Sequence, residues 1–433
     1  MCTWRVARPR RKWSPCAATP TSTAAFWASY LVGGALMSKR SQLAVACVVV
    51  TGWYSLACLR LMPPQSLLSH LSLPAYHAWA FSHLAYSDIF SLYQHHHLAN
   101  HAWPYVQTPI EYPVVMGMTM WVAAWVPHPL GFFLATALML WAAAMLTTAA
   151  LMDRSFKAGW AFALSPLLLT FGLLNWDVLG IFFMVWALKW WERQKYDKAA
   201  VLFAIAVFFK FFPVFYLPFL ALKMHMTGRH RALLRAAMVF FGVALLLNLP
   251  FAWLNWRNWS LFFTFNATRQ AAADVWTNVV IHLSSVPLVD ALSLTAVVTV
   301  AALASRAVWR GASLYRAAAS LFSVFLIVNK VFSPQYMIWL LVFGVLADWP
   351  ESGLGLLSLA GIVDYVNSLT ILHWARSNNH AAFFWYDREV FPLGLLVRYG
   401  AIVLASVSGQ GRFAAESVLM QVSEGIPTDI DPG

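Results

Sequence analysis

Apolar runs long enough to cross about 30 Å of hydrocarbon recur along almost the whole chain, and no other feature constrains the fold as strongly. Hydrophobic residues make up 61% of the 433 residues and charged residues only 11%. A soluble chain needs roughly a quarter of its residues charged to cover its surface. The expected fold is therefore an all-α polytopic membrane protein with about 10–12 membrane segments. The 23 Trp suit a protein with many interfacial anchors.

The formal net charge of +12 does not indicate a nucleic-acid partner. Lys and Arg sit in short clusters between apolar runs, as the positive-inside rule requires of cytoplasmic loops. The cysteines are Cys2, Cys16, Cys47 and Cys58, with no CxxC or zinc spacing and none in a loop placed outside. No structural disulfide is expected.

Residues 1–36 form a basic and apolar extension carrying Arg5, Arg8, Arg10, Arg11 and Lys12. It reads either as a signal peptide or as a start assigned too early, with Met37-Ser-Lys-Arg the true opening. The missing small-residue cleavage pattern favours the latter. Residues 37–407 would be the membrane domain, and 408–433 a polar cytoplasmic tail without structure.

The first span is expected at about 41–61, entering from the cytoplasm after Lys39 and Arg40. From Leu61 to Gly131 there is no Lys or Arg at all, and eight of the thirteen His fall between His70 and His128. That long stretch reads as an outer loop carrying interfacial helices, including the short apolar segment 112–126. Further spans are expected at 130–151, 158–174, 176–191, 233–250, 286–304, 316–329, 336–347, 352–372 and 390–407, with outer loops at 251–285, 330–335 and 373–389. The segment 199–222 has basic clusters on both flanks and two short apolar halves around Lys210 and Pro213. A broken hairpin with both ends on one face fits it, since irregular backbone at depth survives only beside protein or a wet cavity.

Asp88, in Tyr86-Ser-Asp-Ile-Phe, opens a helix in the long outer loop. It is a candidate general base, because a carboxylate among aromatics is desolvated and its pKa rises; alternatively, Ser87 or Asp88 caps the helix. Glu111 is a second carboxylate, without a cation nearby in sequence to pair it, and a candidate acid, base or acceptor-orienting group. His95, His96 and His97, with His101 four residues beyond, resemble a metal site. Three consecutive imidazoles point apart, however, so we assign no metal or other cofactor and give His95 to sugar or phosphate contact. Lys210, in Phe-Phe-Lys-Phe-Phe-Pro, is a cation at membrane depth and a candidate for a lipid phosphate. Lys330 lies at the outer end of a span where topology does not ask for positive charge, with Asn329, Ser333 and Gln335 beside it. Such a cluster would hold a phosphate leaving group.

Several motifs together resemble glycosyltransferase family 87. They are Asp88-Ile89 with Tyr93, Trp103-Pro104-Tyr105, Tyr112-Pro113, Asn175-Trp176-Asp177, Lys210-Phe-Phe-Pro213, and Lys330 with Ser333-Pro334-Gln335-Tyr336. They run in order over roughly residues 85–340. Trp103 stands where a Gly is frequent, and Tyr112-Pro113-Val114 where Tyr-Pro-Pro is.

The resemblance implies a GT-C-like helical bundle, a polyprenyl-phosphate-mannose donor, a lipid-anchored glycan acceptor and transfer on the outer face of the plasma (inner) membrane. It further implies Asp88 as base; Glu111 stands beside it as the second catalytic candidate by its own residue type and place. Lys210, Lys330 and Gln335 would hold the donor phosphate, and Tyr93, His95, Tyr105, Tyr112, Asn175, Asp177 and Asn329 would contact substrate. The competing expectations are a transporter or flippase of an envelope lipid, and a non-catalytic envelope scaffold. The absence of a clear inverted repeat weighs against transport.

Overall fold

The computed structural model describes residues 38–126, 128–272, 274–276 and 285–424, with side chains through Gly409. The extension 1–36, Pro127 and the tail after Glu424 lie outside the described residues. From Leu43 onward the chain forms one compact unit. Among the described residues it is helical, with a single isolated bridge, Pro104–Thr108, and no named strand. It is an all-α polytopic membrane protein.

Helix α1 (Lys39–Leu61) leads into the long loop, which carries the short helices α2 (Gln65–Ser69), α3 (Leu73–Ser82), α4 (Asp88–His95) and α5 (Val114–Ala123). α6 (Pro129–Arg154) is the next long helix. The expected span 158–174 is not one helix. It divides into α7 (Phe156–Ala163) and α8 (Leu167–Phe171), with the break at Ser165-Pro166. Pro166 has no N–H to give, and its ring disfavours helical backbone at the residue before it. After α8 ends at Phe171 the chain runs unwound through Trp176, and the free carbonyls of this turn are used. Leu173 accepts from the Ser87 hydroxyl at 2.7 Å, and Leu174 accepts from the Asp88 N–H at 2.8 Å.

α9 (Asp177–Glu192) and α10 (Tyr196–Phe209) follow as packed neighbours. Lys210 is extended, a 3₁₀ turn covers Phe212–Tyr216, and α11 (Leu217–Met226) returns. The Arg229 guanidinium bonds the Tyr196 hydroxyl, so the two ends of this segment meet while Lys210 lies at its tip. The broken hairpin is as expected.

α12 (His230–Leu254) is followed by α13 (Trp256–Thr268), a helix inside the expected loop 251–285. Its entry is capped by the Asn255 side chain, which accepts from the Asn258 N–H at 3.1 Å. The Asn255 and Asn258 amides both donate to the Val106 carbonyl, at 3.0 and 3.2 Å, and tie α13 to the first loop. α14 (Val286–Trp309), α15 (Leu314–Val328), α16 (Tyr336–Leu346) and α17 (Glu351–Arg376) complete the bundle with α18 (His380–Trp385), a π-helical turn at Tyr386–Val390 and α19 (Phe391–Glu424). The expected loop 373–389 is thus largely helical. α19 continues past Ser408, where an unstructured tail was expected.

Among the described residues, six segments are long and apolar enough to cross a membrane: α1, α6, α12, α14, α17 and His380–Gly409. Shorter apolar helices cover Val114–Ala123, Phe212–Met226, Leu314–Val328 and Tyr336–Leu346. α16 is the centre of the core, buried from Met337 through Leu346.

The basic clusters gather at one end. The Arg154 side chain at the end of α6 meets Glu192 at the end of α9 and lies 4.2 Å over the Tyr315 ring. Lys189 and Arg193 reach Asp153 at 3.1 and 2.7 Å. Asp177, at the other end of the 16-residue α9, is about 24 Å away by helical rise.

Candidate active site

Asp88 is the first residue of α4, but it does not cap that helix. Ser87 does, accepting from the Ile89 N–H at 3.2 Å. The Asp88 carboxylate is left for other work and is held at both oxygens. The Tyr86 hydroxyl donates to Oδ1 at 2.8 Å, and the Asn175 amide donates to Oδ2 at 2.7 Å. Leu174 and Asn175 both lie in the unwound turn after α8, and that turn supplies both the backbone acceptor and the side-chain donor that fix Asp88. Burial pushes the Asp88 carboxyl above its ordinary value, more than Tyr86, Asn175 and the nearby Lys210 cation pull it down.

Asp88 borders a cavity of about 630 Å³. Glu111, Tyr112, Lys210, Asn329, Lys330 and Gln335 line the same space, so seven of the residues singled out in the sequence converge here. Phe211, Phe212, Phe262, Phe265, Phe325 and Phe332 supply an aromatic wall.

The charges on the wall are not equivalent. Lys210 Nζ sits 2.6 Å from Asp177 Oδ1, which also accepts from Trp339 Nε1 at 2.9 Å. Asp177 is 2% exposed and does not line the cavity. Its position at the N-terminus of α9 favours its negative charge. Lys330 Nζ lies 2.9 Å from Asp290 Oδ2 and 3.1 Å from the Ala267 carbonyl, so it too carries a partner. Arg269 was not singled out in the sequence. It projects from the end of α13, its guanidinium 5.1 Å over the Phe265 ring, and among the described residues no carboxylate pairs with it. It is the cation on this wall with charge to spare. The signal in the sequence was weak, because a single Arg after Asn-Ala-Thr looks like a loop cation.

The loop carrying Arg269 is anchored from below. Arg398 of α19 is fully buried, donates from Nε to Asp364 Oδ1 of α17 at 2.7 Å, and donates from Nη1 to the Asp274 carbonyl at 2.8 Å. The Ala272 N–H donates to the Lys330 carbonyl at 2.8 Å. Arg398 and Asp364 lie within long helices and passed unremarked in the sequence, although ionisable groups at such depth are costly unless paired.

Glu111 is not unpaired, as the sequence suggested. His96 Nε2 lies 3.2 Å from Glu111 Oε2. Burial works to raise the Glu111 carboxyl, but His96, a backbone N–H and His95 together hold the group below its ordinary value. Burial and the neighbouring Asp88 keep the Tyr112 hydroxyl protonated far above its usual range.

Other expected contacts lie away from the cavity. Tyr93 is buried against Phe132, with ring centroids 4.8 Å apart. Tyr105 is fully buried and donates to the carbonyls of Tyr112 and Pro113 at 2.9 and 2.8 Å, so it shapes the loop that presents Glu111 and Tyr112. His95 is exposed at the end of α4. His97 and His101 do not share a helix face, because α4 stops at His95 and both take left-handed backbone, each at φ 52°. The Asn329 amide donates to the Val331 carbonyl at 2.7 Å, and Gln335 Oε1 accepts from Ser333 at 2.6 Å; both also face the cavity.

The model of glycosyltransferase family 87 matches residues 110–334, more than half of the chain. The chain belongs to glycosyltransferase family 87. The matched segment contains Glu111-Tyr112-Pro113, Asn175–Asp177, Lys210–Pro213, Arg269 and Lys330–Pro334, whereas Asp88 and Tyr93 precede it. No curated protein matches the chain at a significant level. This family 87 chain is a membrane glycosyltransferase, and its cavity brings carboxylates, cations and aromatic faces together at one end of the bundle.

Proposed function

We propose that this glycosyltransferase moves a sugar, mannose by its family resemblance, from a polyprenyl-phosphate donor to a lipid-anchored glycan acceptor, with inversion, on the outer face of the plasma membrane. The observation that carries the reading is the cavity itself, where the twice-held Asp88 carboxylate shares one wall with Arg269, a cation without a carboxylate partner among the described residues. Asp88 takes the proton from an acceptor hydroxyl as its oxygen attacks the anomeric carbon. The bond from that carbon to the donor phosphate breaks, and its electron pair leaves with the phosphate. Arg269 holds that charge, with the paired Lys330 and Lys210 adding to the positive field. The phenylalanines give the sugar and the first isoprene unit apolar faces.

The deciding experiment gives the purified protein in lipid a labelled polyprenyl-phosphate mannose and a panel of glycolipid acceptors. Covalent product with one acceptor class supports the reading. Movement of labelled lipid across the bilayer without product would replace it with a flippase. Arg269→Gln is expected to raise the donor KM by about ten- to a hundredfold, because a charge-assisted phosphate contact is worth roughly 1.5–3 kcal/mol. An unchanged donor KM would remove Arg269 from the phosphate site.

A base must be ionised to act, and burial raises Asp88. Transfer should therefore climb with pH through a range above that of an ordinary aspartate, and its acidic limb should be absent from the residual rate of Asp88→Asn. A flat profile from pH 4 to 7 (roughly the span of ordinary and raised carboxyl values) would contradict the assignment. For orientation, single cysteines at Ser72 and Ala99, both exposed, are expected to react with an impermeant thiol reagent from outside. A cysteine at Lys195, beside the gathered basic clusters, should not. The native cysteines are replaced by Ser in that background, and labelling of Lys195 alone would invert the arrangement.

A further inference from the structure

Two imidazoles of the His run meet a carboxylate that lies far from them in sequence. His95 and His96 end α4, Glu111 stands on the loop before α5, and one ligand atom from each lies within 4.8 Å of the other two. His96 is 3% exposed, and its Nε2 faces Glu111 Oε2 at 3.2 Å without making a hydrogen bond of good geometry. A buried nitrogen left in that state costs free energy that a cation between the two groups would recover. Tetrahedral zinc, with ligands at about 2.0–2.2 Å, keeps ligand atoms roughly 3.3–3.5 Å apart. The His96–Glu111 separation is close to that already, and the exposed His95 side chain is free to close the remainder by rotation.

We propose that His95, His96 and Glu111 bind a divalent transition-metal ion, with zinc the cation their donor set favours. Two imidazoles and one carboxylate suit zinc, whereas magnesium and calcium select all-oxygen cages. His97 and His101 are not ligands: the left-handed turn carries His97 out to solvent, and the His101 ring packs 5.2 Å from Trp125. Three protein ligands leave a fourth position for water or a substrate oxygen. Glu111 borders the cavity, so the ion sits in the wall beside Asp88. A role in orienting the acceptor rests on the proposed transfer reaction, whereas binding of the ion does not.

The test uses full-length protein purified without a histidine tag, stripped with chelator and titrated with zinc by calorimetry, with metal content read after desalting. Wild type should retain about one equivalent, and His95→Ala and Glu111→Gln should each weaken zinc by at least about tenfold. Both are mild changes, one at an exposed site and one isosteric. His128→Ala should bind as wild type does, and so should Asp88→Asn, which separates this site from the transfer reaction. Wild type retaining no more zinc than the His95→Ala/Glu111→Gln double variant would overturn the proposal, as would equal loss in His128→Ala.

Discussion

Asp88→Asn is expected to lower sugar transfer by about a hundredfold or more while leaving the protein folded and able to bind donor. Helix capping does not confound the experiment, because Ser87 caps α4 and the Asp88 N–H is held by the Leu174 carbonyl. The introduced amide would keep an oxygen for the Asn175 side chain, and the Tyr86 hydroxyl can turn to accept where it now donates. The cost in stability should therefore stay near about 1 kcal/mol. What an amide cannot do is take a proton. Glu111→Gln is expected to be milder, since His96, a backbone N–H and His95 together hold the Glu111 carboxyl below the range suited to a base. Turnover, thermal stability and donor binding are measured on both variants. Near-normal turnover in Asp88→Asn would remove the base from the mechanism, and inactivity accompanied by unfolding would make Asp88 a structural residue.

Lys210→Met is expected to destabilise the protein by about 3–5 kcal/mol, the cost of leaving one member of a buried ion pair alone. Its partner Asp177 is enclosed, and that carboxylate has a second oxygen with no hydrogen-bond partner among the described residues. Adding Asp177→Asn removes the stranded charge, so the double variant should recover most of the lost stability. Transfer should not recover with it, because the cavity still lacks the Lys210 cation. Reversible unfolding in mild detergent reads the first effect, and turnover at saturating acceptor reads the second. Recovery of turnover in the double variant would mean that Lys210 serves only to neutralise Asp177. A Lys210→Met protein as stable as wild type would mean that the pair contributes little in its membrane setting.

Asp88 and Lys210 could be found without a structure because each broke a local rule. One is a carboxylate in a loop free of cations, the other a cation inside an apolar segment. Arg269 broke no such rule plainly enough, whereas Arg398 breaks the same one as Lys210. Arg269 follows a polar stretch, and Arg398 stands midway along the expected span 390–407, where its partners on other elements cannot be read from the residue order. The sequence motifs also mixed residues that face the cavity with residues that hold them. Asn175 and Asp177 do not line the cavity: the first bonds Asp88, and the second bonds Lys210 and Trp339.

The sequence by itself determined the membrane class, the long helices and the broken hairpin at Lys210. These follow from hydropathy over windows of about 20 residues and from where charge is tolerated, both local properties. Only the tertiary structure decided what meets what. The unwound turn after α8 lets Leu173, Leu174 and Asn175 reach Ser87 and Asp88 from across the fold. Glu111 is brought to His96, Asp290 to Lys330, and Arg398 to Asp274. Each of these pairs costs little in sequence pattern and a great deal if left unmade, because a buried charge or amide without a partner has no water to turn to.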